Sequence, residues 1–322
     1  MPRWISIFVT LVTLGLMGFA TAQSYPSKPV RFMVGFAPGG AADITARILG
    51  QKAGDLWRQT VLVDNRPGAS GIIAAEAVAK APADGYTLLV SPQTSTATAA
   101  SLYAKLPYDV LKDFAIITVI TSSPLILVIH PSLAPKTFQE FVPFAKANHK
   151  NLSFGSGGLG SGPHLAGELL NLALDIKMMH IPYKGENLAA IDTIGGQMPL
   201  MLPTLPVGLP HVKTGKLRGL AVTSLRRSPS AADYPTIAES GLRDFESAPW
   251  IALYAPAAVP KDVIARLNTD AVKVLQMPDV QERLVQQGID RVGNSSEQAA
   301  AYLRSEIVKW GQVIRRANLR AQ

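Results

Sequence analysis

Residues 155–160 read Gly-Ser-Gly-Gly-Leu-Gly, a G-x-G-x-x-G pattern. After a strand and before a helix, that pattern is the turn with which dinucleotide-binding folds hold a pyrophosphate. The flanks fit, since 152–154 reads as a strand end and a helix is expected from His164. The rest of the signature does not follow. An acid is needed about 20 residues on, at the end of the second strand, to hold the ribose hydroxyls. Asp175 has the count but precedes the strand expected over 178–182, and Glu186 comes late. The loop also runs on through Ser161, Gly162, Pro163 and His164, too long for a tight turn. The sequence therefore argues against NAD, and no cofactor is expected.

Other catalytic patterns are missing too. Ser156 has Phe154 two before it, so G-x-S-x-G is absent, as is a G-K-[ST] phosphate loop. The histidines at 130, 149, 164, 180 and 211 show no metal-ligand spacing. There is no cysteine, which excludes disulfides, thiolate metal sites and cysteine nucleophiles. A secreted hydrolase or transferase using Ser156 or His164 would need a base in hydrogen-bond reach, and no spacing supplies one.

A second stretch has the same design. Phe36-Ala37-Pro38-Gly39-Gly40-Ala41-Ala42-Asp43 also joins a strand to a helix through glycines. Unpaired N–H groups at a helix start, with glycine-exposed backbone, suit a carboxylate or a phosphate. Ser156 and Ser161 add hydroxyls to the second unit. If the two units face each other across a cleft, one molecule with two acidic ends bridges them. Otherwise both are merely tight connections.

Strand and helix patterns alternate along the chain, which predicts an α/β fold with largely parallel sheets. Strands are expected over 30–36, 60–64, 87–91, 125–130, 152–154, 178–182, 217–223 and 250–254. Helices are expected from about Asp43, over 72–80 and 138–148, along Leu165, Leu169 and Leu172, and along Leu188, Ile191 and Ile194. The apolar run 114–129 is interrupted by Thr118, Thr121, Ser122, Ser123 and Pro124, and reads as two short strands. In the tail, Pro260 and Pro278 suit first helical positions and Gly288 a helix stop. Ser295 with Gln298 predicts a capping box, and Leu303, Ile307, Trp310 and Ile314 form a stripe expected to be core. No linker separates domains, yet about 300 residues exceed one comfortable core, so two lobes joined by more than one crossover are expected.

The first 22 residues read as a cleavable export signal: Arg3, an uncharged apolar run, then Ala20-Thr21-Ala22. The 31 basic residues outnumber the 23 acidic ones, but they are dispersed and no aromatics interleave with them. That pattern does not suit nucleic acid. A diffuse positive field instead favours capture of small anions.

Several stretches in fixed order resemble one family. They are YPSKPVRFMVGFAPGGAADITAR, DNRPGASG, APADGYTLL, LPYDVLKDF, the GSGGLGSGPH loop, IPYKG, YPTIAESG and the segment 250–260. Together they span nearly all of the chain after the signal. The chain resembles the Bug or TctC family, extracytoplasmic solute receptors of tripartite tricarboxylate transporters. The resemblance implies a type II periplasmic binding protein fold, two α/β lobes around a ligand cleft. It assigns 26–123 with 250–322 to one lobe and 124–249 to the other. It implies a periplasmic, non-catalytic monomer that captures a small organic acid and presents it to membrane transporter subunits. A ligand sensor feeding a signalling partner is the alternative.

The resemblance also names a site. A ligand carboxylate would be held by backbone groups of Phe36, Ala37, Gly39, Gly40 and Ala41. Asp43 is either a helix cap or a further contact. The second lobe would offer Ser156, Gly157, Ser161, His164 and Tyr183, although His164 and Tyr183 equally suit local roles. Two departures stand out. Pro199 and Pro203 stand where the family often has Asp, and 94–96 lacks a common His. A plain carboxylate or a less polar acid is therefore expected, not an amino acid.

Overall fold

The computed structural model describes residues 25–320, so the expected signal lies outside the described residues. β1 (Val30–Val34) is followed by α1 (Ala41–Trp57), β2 (Val61–Asn65), α2 (Ile72–Ala79), β3 (Thr87–Pro92), a single turn α3 (Ala99–Leu102) and β4 (Phe114–Ser122). The chain then crosses into a second sheet. There it forms β5 (Ile126–Ile129), α4 (Phe138–Asn148), β6 (Ser153–Ser156), α5 (Gly162–Leu174), β7 (Met179–Pro182), α6 (Glu186–Ile194), β8 (Leu200–Met201), α7 (Leu205–Lys213) and β9 (Arg218–Val222). It returns through β10 (Trp250–Pro256) and closes with α8 (Lys261–Leu275), α9 (Pro278–Gln286), β11 (Asp290–Arg291) and α10 (Ser296–Arg316).

The six-stranded sheet has the order β11-β4-β10-β3-β1-β2, and the five-stranded sheet β7-β6-β8-β5-β9. Each sheet has helices on both faces, and the strand sequences show it. In β1, Val30, Phe32 and Val34 enter one core with α1 and α8, while Met33 enters the opposite core with α2 and α10. In the second sheet Leu127 and Ile129 pack toward α4 and α5, and Ile126 and Val128 toward α6 and α7. A strand buried on both faces reads as an unbroken apolar run; β5 does so, while β1 is interrupted by the exposed Arg31.

The sheets are less parallel than the sequence predicts. β1 pairs in parallel with β2 and β3, but β10 runs antiparallel to both β3 and β4. β5 likewise runs antiparallel to β8 and β9. The cause is the double crossing. A strand that returns from the other lobe enters its sheet from the opposite end, so it must run against its neighbours. The two crossings lie side by side. The Ser123 amide donates to Pro249 O at 2.7 Å, and the Thr223 hydroxyl donates to Ser247 O at 2.7 Å.

The 114–129 run divides into β4 and β5 at 123–125 as expected, with β4 a full nine residues. The Ser295 and Gln298 capping box is present, and Leu303, Trp310 and Ile314 are buried. Pro260 is the N-cap of α8 rather than its first residue, because the helix begins at Lys261. α10 also reaches the second lobe, since Leu165 of α5 shares a core with Trp250, Leu303 and Trp310.

Candidate functional site

The first loop, 35–40, joins β1 to α1. Gly40 is the N-cap of α1 and supplies no side-chain cap. The first amides of a helix have no intrahelical acceptor, and 37–41 is exposed. Asp43 organises the loop from below. It is buried, and its carboxylate accepts from the Gly39 amide at 2.9 Å, from Asn65 Nδ2 at 3.0 Å and from Arg47 Nε at 3.0 Å. Asn65 also donates to Phe36 O at 3.0 Å. Burial works against the charged form of Asp43, but the bonds from Arg47, Gly39 and Asn65 outweigh it and hold the carboxyl below its ordinary range. Asp43 is thus committed to the loop and to Arg47, and the Gly39 amide is committed to Asp43.

The second loop, between β6 and α5, spends its donors internally. Ser156 Oγ accepts the Gly158 amide at 3.1 Å, and His164 Nδ1 accepts the Gly160 amide at 2.9 Å. The Ser161 amide donates to Gly158 O at 3.2 Å, and the Ser161 hydroxyl caps α5 by accepting from the His164 amide at 3.4 Å. The loop keeps this course through positive φ at Gly158 and Gly160. The expectation that both loops present rows of free amides therefore fits the first loop better than the second. Gly157 packs beside Glu186, whose carboxylate accepts from the Thr204 amide and hydroxyl at 3.0 and 2.9 Å. Tyr183 donates to Asp192 at 2.7 Å. Pro199 O and Pro203 O accept backbone amides from His130 and Ile126, so both prolines close strand ends.

The two loops border one cavity. Phe36 of the first loop and Leu159, Gly160, Ser161 and Gly162 of the second line a space of about 350 Å³ between the lobes. Ser70, Thr94, Thr98, Leu102 and Tyr103 complete its wall. Among the described residues, no side chain in this wall is an Asp, Glu, Lys, Arg or His. The cavity offers hydroxyls and backbone on one hand, and Phe36, Leu102 and Leu159 on the other. Of the sequence-predicted residues, Phe36 and Ser161 line it, while Ser156 and His164 are buried behind the loop.

Sequence reasoning missed the far wall. Ala69 and Ser70 hold left-handed φ values of 45° and 52°, a conformation costly for non-glycine residues and found where surroundings impose it. The Ser70 carbonyl accepts from Ser95 Oγ at 2.9 Å, and Ser70 Oγ from the Tyr103 hydroxyl at 3.1 Å. Gly71, at φ +88°, lies against Ser95 and Phe36, where a Cβ has no room. Gln93, next to Thr94, is buried with both amide atoms unpaired among the described residues. The run of hydroxyls from Thr94 to Thr98 was the available signal.

One pairing overturns the expectation that Ser156 has no base in reach. His180 Nε2 stands 2.7 Å from Ser156 Oγ. The spacing of 24 residues gave no hint, because parallel pairing of β6 with β7 brings the two residues together. The pair is not arranged as a nucleophile and base. Ser156 is fully buried, and its oxygen already accepts the Gly158 amide.

The family model described as the tripartite tricarboxylate transporter family receptor, TctC, matches residues 45–319. Protein BugT of Bordetella pertussis is 35% identical over 317 residues, 98% of this chain and 97% of that protein. A Rhodopseudomonas palustris protein solved with adipate superposes with a TM-score of 0.75 at 32% identity, covering 92% of this chain and 99% of that one. MatC of the same organism, with bound malate, gives 0.71 at 29%, covering 90% and 100%.

Proposed function

This chain belongs to the tripartite tricarboxylate transporter receptor family, and from that premise we propose that it captures a small dicarboxylate between its lobes. The observation that carries this reading is the cavity shared by the two strand–loop–helix units, walled by hydroxyls, backbone and apolar side chains without one charged group. A carboxylate in such a place is held by fixed N–H and O–H donors. A buried anion without them is costly, and a helix start supplies both the donors and a favourable dipole. The exposed amides of Gly40 and Ala41, at the start of α1 and outside this wall, would take one carboxylate. Ser161, Thr94 and Thr98 would hydrogen-bond the rest of the ligand, and Phe36, Leu102 and Leu159 would cover its methylenes. Adipate and malate, the acids in the two related structures, have this character.

The lobes in this reading are 26–123 with 250–322 and 124–249, hinged at the adjacent crossings. Ligand favours the closed state by binding it better, so closure reports occupancy. The closed form is then presented to membrane subunits of a transporter. The protein works as a periplasmic monomer, exported by cleavage after Ala22, and performs no chemistry. Asp43, Ser156, His164 and Tyr183 serve as supports that fix the two loops.

The test is a thermal-shift panel on the chain from Gln23. It spans mono-, di- and tricarboxylates, amino acids, aromatic acids and nucleotides. A ligand at ~100 times its dissociation constant adds about 2.7 kcal/mol of stability. A shift confined to dicarboxylates supports the reading. A shift with nucleotides alone refutes it.

A further inference from the structure

Resting on that reading, we infer that His180 is a positioning residue of the binding cleft: its ring N–H locks Ser156, and with the stacked His164 it holds the glycine loop in its ligand-ready shape. His180 is on β7, outside the cavity wall, and nothing in the sequence motifs points to it.

The assignment follows from hydrogen-bond accounting at Ser156. A hydroxyl has one hydrogen and two lone pairs. The Gly158 amide donates to Ser156 Oγ at 3.1 Å, and Ser156 Oγ is 3.2 Å from Gly158 O, which it can reach as donor. The remaining partner is His180 Nε2 at 2.7 Å. All three bonds form together only if His180 carries its proton on Nε2 and donates. Ser156 then clamps both the N–H and the C=O of Gly158, at the head of the segment that walls the cavity.

His164 holds the next stretch of the same segment. Its Nδ1 accepts the Gly160 amide at 2.9 Å, so its proton is on Nε2. The two imidazoles stack with centroids 3.7 Å apart and planes 17° apart, and Phe154 packs against both. Each ring therefore orients the other. Two consecutive supports, Ser156 with His180 and His164 alone, fix Gly158 and Gly160 on either side of Leu159. Loss of the His180 donor frees one of Ser156's lone pairs in a buried site and removes one face of the stack.

His164 must be neutral for its Nδ1 to accept, and the surroundings keep both rings neutral. Burial lowers the pKa of His164 to about 3, with His180 beside it adding to the effect, and burial lowers that of His180 to about 4. His164 faces Glu168 at 3.8 Å, besides His180 and Phe154. The outer side of His180 borders a cavity of about 770 Å³ that also holds His149, Lys150, Glu168, Lys177 and Arg316. Of these, Lys150, Lys177 and Arg316 are cations, which disfavours a further cation in the stack.

Amide hydrogen exchange at Gly158 and Gly160 tests the inference without ligand, and adipate titration tests its consequence. His180→Leu should speed exchange at both amides at least tenfold and weaken adipate about tenfold. His180→Gln, which can place an N–H near the former Nε2, should restore both to within threefold of wild type. Unchanged exchange in a folded His180→Leu protein overturns the inference. If that variant fails to fold, Ser156→Ala replaces it, with the same expectation for Gly158 and the same overturning result. Should wild type bind no carboxylate, the proposed function fails, while the exchange measurement still decides the role of His180.

Discussion

Asp43 shows how a residue's role depends on what surrounds it. Its position three residues after the second of the paired glycines was legible, but its partner set was not. Arg47 lies one helical turn on, while Asn65 comes from the end of β2. Asp43→Ala leaves the Gly39 amide without its acceptor and removes one acceptor each from Asn65 and Arg47, and should cost about 2 kcal/mol in thermal or denaturant unfolding. Because the folded carboxyl is held below its ordinary range, its contribution is present at neutral pH. It is lost as pH falls through the usual carboxylate range toward the lower folded value. The histidine pair acts over a higher window. Unfolded histidines take up protons near pH 6.5, whereas the folded rings resist until about 4 and about 3. Unfolding therefore binds protons below about pH 6.5, and stability should fall from there to about pH 4. His180→Gln should flatten that slope, and a slope unchanged from wild type would show the ring plays no part in it. Ser156 and His164 were recognisable as loop residues, but their inward direction was not. That direction comes from β6–β7 pairing and from the turn of α5.

At the scale of elements, the regular helices and buried strands were legible because their apolar spacing is unbroken. Strand direction was not, since it is set by which sheet the chain returns to. The stripe on α10 was expected to be core, and it is, but Glu306 lies buried within it. Its carboxylate accepts from Trp250 Nε1 and Trp310 Nε1, each at 2.8 Å, and pairs with Lys309. This ties α10 to β10 at the crossing between the lobes. Glu306→Leu strands two indole N–H groups and should cost about 3 kcal/mol, and Glu306→Gln, which keeps an acceptor, should cost less. Unfolding curves of the two variants check the order. α5 is seated on β6 by Gly167, where a Cβ would run into the Phe154 ring. Gly167→Ala should overpack that contact by about 2 kcal/mol. It should also disturb the His164 ring above it, seen as faster exchange at Gly160.

For the whole molecule, the two strand–loop–helix units announced themselves, and so did the need for two lobes. The cavity wall did not, because Ser70, Thr98 and Tyr103 come from chain segments far from either loop. Their hydroxyls are brought together only when β1, β3 and the 69–71 turn pack side by side. The proposed lobe closure belongs to this scale. Saturating dicarboxylate should lower the radius of gyration measured by X-ray scattering, and a variant unable to bind should keep the open value.

We propose that backbone donors at the start of α1 hold the ligand carboxylate. Gly40 has an ordinary negative φ, and a Cβ there meets only Ala37 O at 3.6 Å, so the backbone accommodates a side chain. The decisive measurement is calorimetric titration of adipate and malate into wild type and Gly40→Val at equal melting temperature. Wild type should bind at least one acid saturably, and the variant should lose at least tenfold in affinity. Equal affinity in both proteins would contradict it.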